Sequence, residues 1–420
     1  MIAPGSRGDI QPYIALGQGL HRAGHTVRIV TNKDFKELVT SYGLEIWPVD
    51  INIQAALQSR ETSAAVEGGG LVASFRKLAE LAGSGARMLV QVGLEAAHDA
   101  DLIISGFGGI LVGASLAEKL GLPFIQAYNV PLTPTAAFPG VLFPWMSVWP
   151  YSISHRLSHE LTRQVVWQSA RAAGDRARRE LLNLPSAPLA GMFDSKIFRS
   201  GPVLYGFSPS VLPRPSDWEE NVHVTGYWFA GEPDAWEPAP ELLDFLEDGP
   251  APVYVGFGSM SSEKPAETMR LILDALGTHN WRLIVHSGWA GLESASLPEN
   301  VLVVGSVPHS WLFPRVSAIV HHGGAGTTAA AFRAGVPSVG VPFHGDQPFW
   351  ADLTYKLGVG TKPISRRKLT AGGLATAIQR ALEDEQLRQR AAELGNRVSM
   401  EDGITRAVEI ISMAVPKTAE

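Results

Sequence analysis

His321-His322-Gly323-Gly324-Ala325-Gly326-Thr327-Thr328 follows the apolar run Ala318-Ile319-Val320 and runs into Ala329-Ala330-Ala331-Phe332-Arg333-Ala334, a helix-forming segment. Strand, glycine turn and helix start together leave backbone N–H groups free to meet a phosphate. The two histidines at the mouth add ring donors that can reach a diphosphate. A nucleotide or nucleotide-sugar diphosphate is therefore the expected ligand, and a strand feeding a helix through such a turn is the unit of a doubly wound α/β fold.

Working outward, short and nearly all-apolar runs recur at 27–31, 101–105, 253–257, 282–286, 301–304, 318–321 and 338–341. Such runs suit strands buried on both faces of a parallel sheet. Helix patterns lie near 11–23, 109–120, 266–278, 326–334 and 347–357, and the last ~45 residues are amphipathic with helical period. This βαβα order occurs twice and predicts two Rossmann-like units. Between them, from about Ser208 to Pro252, come Pro209, Pro213, Pro215, Pro233, Pro238, Pro240, Pro250 and Pro252. The division it suggests is a first domain over 1–212, a linker over 213–240 and a second domain over 241–399. A helix at 400–415 would pack back on the first domain. The two halves would enclose a cleft faced by strand C-termini. Before Pro4 only Met1 to Ala3 are left for a first strand, shorter than the usual five or six residues. Either that strand is stubby or the chain starts upstream.

Bulk composition narrows the classes. A chain of 420 residues exceeds one ordinary core. A net charge of −6 argues against a nucleic-acid binder. With no cysteine there is no disulfide and no thiolate chemistry, which fits a reducing cytoplasm. The opening Met1-Ile2-Ala3-Pro4-Gly5 lacks the basic start and apolar core of a signal peptide. No apolar run approaches the ~20 residues of a membrane span. A cytoplasmic protein follows, with peripheral membrane contact left open, as either monomer or homodimer. His21, His25, His98 and His279 show no partner pattern, there is neither HExxH nor a Walker motif, and Gly68-Gly69-Gly70 reads as a loop.

Other motifs gather around the octapeptide. Gly5-Ser6-Arg7-Gly8-Asp9 precedes a helix expected to begin near Gln11-Pro12. Asp9 is either an N-cap or a carboxylate able to take a proton from an acceptor hydroxyl. Val253 to Ser261 repeats the strand–glycine–serine theme, and Ser259 could meet a phosphate or simply cap a helix. Asp346 and Gln347, in Pro342-Phe343-His344-Gly345-Asp346-Gln347-Pro348, could each bridge two sugar hydroxyls, or Asp346 could cap a helix with Pro348 near its first turn. Residues 128–154 contain no charge but hold Tyr128, Phe138, Phe143, Trp145, Trp149 and Tyr151 among five prolines. They form an apolar acceptor pocket, an interfacial membrane contact, or a loop packed on the first domain.

GSRGDIQPYIALG at 5–17, VYVGFGSM at 253–260 and HHGGAGTTAAAFRAGVPSVGVPFHGDQPFWA at 321–351 resemble the GT-B, family-1 type glycosyltransferases. The likeness is greatest to sterol 3-beta-glucosyltransferases and bacterial natural-product glycosyltransferases. It implies an inverting, metal-independent transferase without cofactor that moves a hexose, expected to be glucose, from a UDP-sugar. The receiving hydroxyl would belong to a sterol, terpenoid, polyphenol or similar apolar molecule. By resemblance Asp9 is the general base, and His322 rather than His321 binds phosphate. Gly324, Ala325, Gly326 and Thr327 attend the diphosphate, the Val307 backbone reads the base, Asp346 and Gln347 hold the sugar, and Gly8 and Ser259 complete the expected nucleotide-sugar site. The sequence departs from plant relatives at Ser306, where they carry a base-stacking tryptophan, and at Ala330, where they carry a ribose-binding glutamate. Trp289 is a candidate replacement for the stacking ring. A dTDP-sugar transferase acting on a polyketide, glycopeptide or flavonoid stays open as the alternative. So do a nucleotide-sugar epimerase, which would process its donor with no acceptor added, and a carbohydrate- or sterol-binding module, which would bind ligand without releasing any nucleotide.

Overall fold

A computed structural model describes residues 1–50, 85–231, 236–257, 265–277, 279–286 and 297–415. The chain divides into two compact units, Met1–Ala230 with Asp402–Glu420, and Gly231–Glu401.

In the first unit α1 (Arg7–Arg22) leads to β1 (Arg28–Asn32), β2 (Glu45–Val49), β3 (Ile103–Ser105), α2 (Ile110–Leu120) and β4 (Phe124–Tyr128). The long α3 (Tyr151–Leu182), β5 (Val203–Tyr205) and β6 (Val222–Val224) follow. Pairing is parallel in β1–β2 and in the order β3-β4-β5-β6. Ile2 joins the two parts through parallel bridges to Val30 and Ser105. The short first strand is thus a single bridge, secured by Ile2 N–H to Ile104 O at 2.9 Å and Val30 N–H to Met1 O at 2.8 Å. The strand succession reverses on either side of Ile2, so the loop after it opens at the switch point of the sheet. Ile10, Ile14 and Leu16 of α1 are buried with Ile29, Ile125 and Leu204, and with Ala407 and Ile411 of the C-terminal helix Gly403–Ala414.

The linker expected at 213–240 is corrected. Val222–Val224 is an edge strand of the first sheet, and this unit runs to Ala230. Arg214 holds the proline-rich run in place, donating from Nε to Val222 O at 2.8 Å and from Nη2 to Trp218 O at 2.8 Å. Prolines there end helices and strands without freeing the chain.

The second unit contains β7 (Val253–Gly256), α4 (Pro265–Leu276), β8 (Leu283–His286), β9 (Val301–Val304) and β10 (Ala318–His321). Then come α5 (Ala325–Ala334), β11 (Ser338–Gly340), α6 (Gln347–Lys356), α7 (Ala371–Glu383) and α8 (Glu385–Ser399). Its parallel sheet has the order β11-β10-β7-β8-β9, with the switch point between β7 and β10. Val253 and Val255 pack with Met269, Ile272, Leu374 and Ile378 on one face. Tyr254, Ile284 and Ile319 pack with Leu242, Phe313 and Ala331 on the other. Both faces are therefore covered, which is why these strands read as continuous apolar runs.

Candidate functional site

In the first unit the chain leaves Ile2 at the carboxyl edge of the sheet, turns through Pro4-Gly5 and enters α1. The helix begins at Arg7 with Ser6 as its cap, four residues before the expected start. Of the two readings of Asp9, the N-cap is excluded: Ser6 takes that place and Asp9 is the third helical residue. Its Oδ2 accepts both the Ser6 N–H and the Ser6 Oγ–H, each at 2.8 Å. This Ser-x-x-Asp arrangement nucleates the turn early enough for Pro12 to lie inside the helix. Asp9 is open to solvent at the helix start, yet protein atoms crowd around its carboxyl. That desolvation raises its pKa above the ordinary carboxylate value, against the lowering effect of the two Ser6 bonds. One turn on, Tyr13 is buried and donates to Ala127 O at 2.7 Å, fixing the helix beneath Asp9. Gly8 is exposed in the same first turn.

In the second unit the loops after β9, β10 and β11 share the carboxyl edge of the sheet. β10 ends at His321, opposite Gly256 on β7 and Gly340 on β11. Gly323 has φ +83°, and a Cβ there would stand 2.9 Å from Gln347 O. The turn thus needs glycine and lies directly against the start of α6. Gly324 caps α5, and its missing Cβ leaves room for His322 Nε2, which would otherwise lie 2.4 Å away. The first backbone bond of the helix runs from Thr328 N–H to Gly324 O at 2.9 Å. The N–H groups of Ala325, Gly326 and Thr327 accordingly have no partner within the helix, and they carry the positive end of its dipole.

His321 is 1% exposed, and its Nδ1 accepts the Gly323 N–H at 3.1 Å. That contact sets the tautomer with the proton on Nε2. Burial first, then His322 and His309, lower its pKa to about 3. Burial, then His344, lower that of His322 to about 4. Both rings are neutral at pH 7. His322 therefore meets an anion with an N–H bond rather than a full charge.

Asp346 and Gln347 stand at the start of α6, against this turn. Gln347 is buried and its Oε1 accepts N–H from Phe343 at 2.9 Å and His344 at 3.3 Å. With the carbonyl engaged, the amide NH2 is the end that a ligand would meet. Asp346 Oδ2 accepts the indole N–H of Trp350 at 3.0 Å. Val307 is half-buried in the loop after β9 beside Leu312 and Phe313. The structure thus groups His322, Gly324, Ala325, Gly326, Thr327, Asp346 and Gln347 at one sheet edge. Ser259 and Trp289 lie outside the described residues. Ser306 is exposed.

The aromatic segment divides between core and surface. Tyr128 is corrected to a core residue: it is 1% exposed, its hydroxyl donates to Gln126 Oε1 at 3.0 Å, and burial pushes its pKa up. Phe138 packs edge-on against His159 and Trp218, and Phe143 against Trp145. Trp145 is 67% exposed and Trp149 84%, followed by exposed Tyr151, Ile153 and Leu157. The stretch before them is pinned. Tyr205 Oη accepts the N–H of Leu132 and Thr133, and Asp217 accepts Thr135 Oγ1 at 2.6 Å and the Ala136 N–H at 2.9 Å. A cavity of about 480 Å³ in the first unit is lined by Met1, Val27, Arg28, Asp101 and Leu102. It sits at the amino ends of the strands, away from Asp9.

Two contacts escaped the sequence reading. Ser6, three residues before Asp9, was visible as a capping-box spacing. Trp350, four residues after Asp346, was visible as a one-turn helical neighbour.

Residues 1–139 match the Glycosyltransferase family 28 N-terminal domain, and residues 270–411 match the Erythromycin biosynthesis protein CIII-like C-terminal domain. The chain is 36% identical to the sterol 3-beta-glucosyltransferase of Arabidopsis thaliana, over 99% of its own length and 68% of that relative. The chain belongs to the glycosyltransferase family of the sterol 3-beta-glucosyltransferases. This glycosyltransferase is also 34% identical to the sterol 3-beta-glucosyltransferase of Komagataella phaffii, spanning 98% of its own length but 34% of that protein. The calicheamicin glycosyltransferase CalG4 has the same GT-B fold, with a TM-score of 0.68, 20% identity and coverage of 98% of this chain and 97% of that one. Among the described residues no helix is long and apolar enough to cross a membrane.

Proposed function

We propose that this glycosyltransferase moves glucose from UDP-glucose to the hydroxyl of a sterol or similar apolar alcohol, with inversion and without metal. The observation that carries the proposal is Asp9, a carboxylate held at one oxygen by Ser6 and made more basic by desolvation. Oδ1 takes the acceptor proton as the acceptor oxygen attacks the anomeric carbon from the face opposite the diphosphate. The bond between that carbon and the phosphate oxygen breaks, and UDP departs with the electron pair. A single displacement inverts the anomeric centre. A carboxylate is a weak base for an alcohol, so proton transfer accompanies attack.

The leaving diphosphate takes the open N–H groups of α5 and the His322 ring, which stabilise its developing charge. Gln347, by its NH2, and Asp346, by its carboxylate, hold the sugar hydroxyls. The sterol acceptor is supported by the two relatives just named. Phe138, Phe143, Trp145 and Trp149 supply the apolar surface for it.

The test is UDP release from UDP-glucose with and without a sterol. Asp9→Asn should lose at least 100-fold in kcat while still binding UDP, the scale of a lost general base. Full turnover by that variant would refute the assignment. Exposed Ser306 offers no ring to stack on a base, which leaves the donor base open and keeps as second reading a dTDP-sugar donor with a polyketide, glycopeptide or flavonoid acceptor. A panel of UDP- and dTDP-sugars separates the two.

A further inference from the structure

We infer that Trp350 is a positioning residue for the donor sugar, acting through Asp346. This deepens the proposed function and rests on its assignment of Asp346 to the sugar hydroxyls. An aspartate at a helix start ordinarily turns its carboxylate onto the N–H groups of its own first turn. Asp346 precedes α6 yet makes no such side-chain cap bond. One of its oxygens is held from the next turn by the Trp350 indole N–H at 3.0 Å.

Trp350 is suited to hold it. The ring is 1% exposed, packs edge-on against Phe349 at 5.2 Å between centroids, and belongs to the helix turn whose Ala351 lies under Gly323 and Gly340. Its own carbonyl accepts Thr354 Oγ1 at 2.7 Å. The indole is therefore fixed with the backbone of α6, and its N–H is a donor that cannot leave the carboxylate without remaining buried and unpaired. Gln347 is anchored in a parallel way by the Phe343 and His344 N–H groups. Each member of the pair is thus held at an oxygen by a donor of the chain itself. Pre-organisation of this kind acts on binding of the sugar and leaves binding of the nucleotide alone untouched.

The experiment compares KM for UDP-glucose with the inhibition constant for UDP, which lacks the sugar. Trp350→Phe keeps most of the ring and removes the N–H. It should raise the donor KM about tenfold, the scale of one lost hydrogen bond to a charged group, with UDP inhibition within about twofold of the native enzyme. Asp346→Ala and the double variant complete a cycle. If Trp350 acts through Asp346, Trp350→Phe adds nothing in the Asp346→Ala background. Because the double variant carries the same packing loss, a general weakening of the fold would instead multiply the two effects, and that result overturns the inference. An unchanged donor KM in Trp350→Phe also overturns it. An unchanged donor KM in Asp346→Ala would instead refute the sugar-holding assignment on which the inference rests.

Discussion

Ser6→Ala isolates the tuning of the proposed base. In the native chain Asp9 Oδ2 accepts two hydrogens from Ser6, both at 2.8 Å. The substitution removes the hydroxyl and keeps the backbone N–H, so the turn retains half of its cap. A hydrogen bond to an ionised carboxylate is worth about 1.5–3 kcal/mol, and about 1.4 kcal/mol is one pKa unit. The site is open to solvent, so water replaces part of the lost bond, and about 0.5–1 unit is the expected rise. Both Ser6 bonds lower the pKa of Asp9, so removing one raises it further. The assay is kcat/KM for the acceptor from pH 4.5 to 9 by coupled UDP release, which reports the free enzyme. The acidic limb should move upward by that amount, while the alkaline plateau holds because a more basic carboxylate is no poorer a proton acceptor. Ser6→Thr should restore the native limb. A uniform loss of rate at every pH would mean that Ser6 merely supports the helix. An unmoved limb would mean that Asp9 is not the titrating group.

Other perturbations separate function from stability. Desolvation puts the folded pKa of Asp9 above its unfolded value, so the protonated carboxyl is the favoured form: its contribution to stability is complete below about pH 4 and is lost as pH rises through the folded value. Asp9→Asn should therefore melt at or above the native temperature at pH 8, with the gap closing toward pH 4 in thermal scans. Gly324→Ala would place a methyl 2.4 Å from His322 Nε2 and should weaken UDP binding about tenfold by calorimetry, at a cost of no more than about 1 kcal/mol in stability. Burial holds the His322 pKa down to about 4, and the negative charge of a bound diphosphate would raise it. UDP affinity should then rise more steeply from pH 8 to 5 in the native chain than in His322→Gln, and equal slopes would show that the ring is not a phosphate ligand. Trp145→Ser with Trp149→Ser should leave stability within about 0.5 kcal/mol, as both rings are exposed, while raising KM for an apolar acceptor several-fold.

Legibility in the sequence followed burial and chain locality. The strands of the second unit could be read because both faces of the sheet are covered, so Val253 to Gly256 and Ala318 to His321 are nearly unbroken apolar runs. β6 was lost among prolines, since Val222–Val224 is a three-residue edge strand with little apolar pattern of its own. The 32-residue α3 was also missed: its residues are largely polar, and its buried ones include Ser154, His155, Ser158, His159 and Thr162. Polar atoms facing inward meet loop carbonyls there, as His159 Nε2 meets Phe138 O at 3.1 Å, and such contacts leave no hydrophobic period. The grouping of the phosphate turn with Asp346 and Gln347 was legible because both lie within one short βαβα stretch. Tyr128 misled because an aromatic at the end of an uncharged run looks the same whether it lines a ligand or fills a sheet. Its burial to 1% exposure beside the Tyr205 ring, a tertiary contact, decides that it is core.

The two units place the same local geometry, strand into turn into helix, at the switch points of their sheets and then give it opposite chemistry. At α1 the cap is a serine and the third residue an aspartate, so the positive end of the helix is already met by the chain's own carboxylate. A diphosphate held at α1 alone would face that charge. At α5 the cap is glycine, with no side-chain acceptor, and the first turn of Ala325, Gly326 and Thr327 carries no acid. The anion site is left for a ligand, and the neutral His322 adds a donor without fixing a permanent counter-charge. This division suits a transfer reaction. A base must keep its lone pairs for a proton, which the Ser6 bonds permit by engaging a single oxygen. A leaving-group site must bind most strongly the charge that appears as the bond breaks, which unpaired N–H groups at a helix start do without prior neutralisation. Exchanging the two chemistries, glycine for Ser6 and aspartate for Thr327, would leave both turns folded and should abolish transfer twice over.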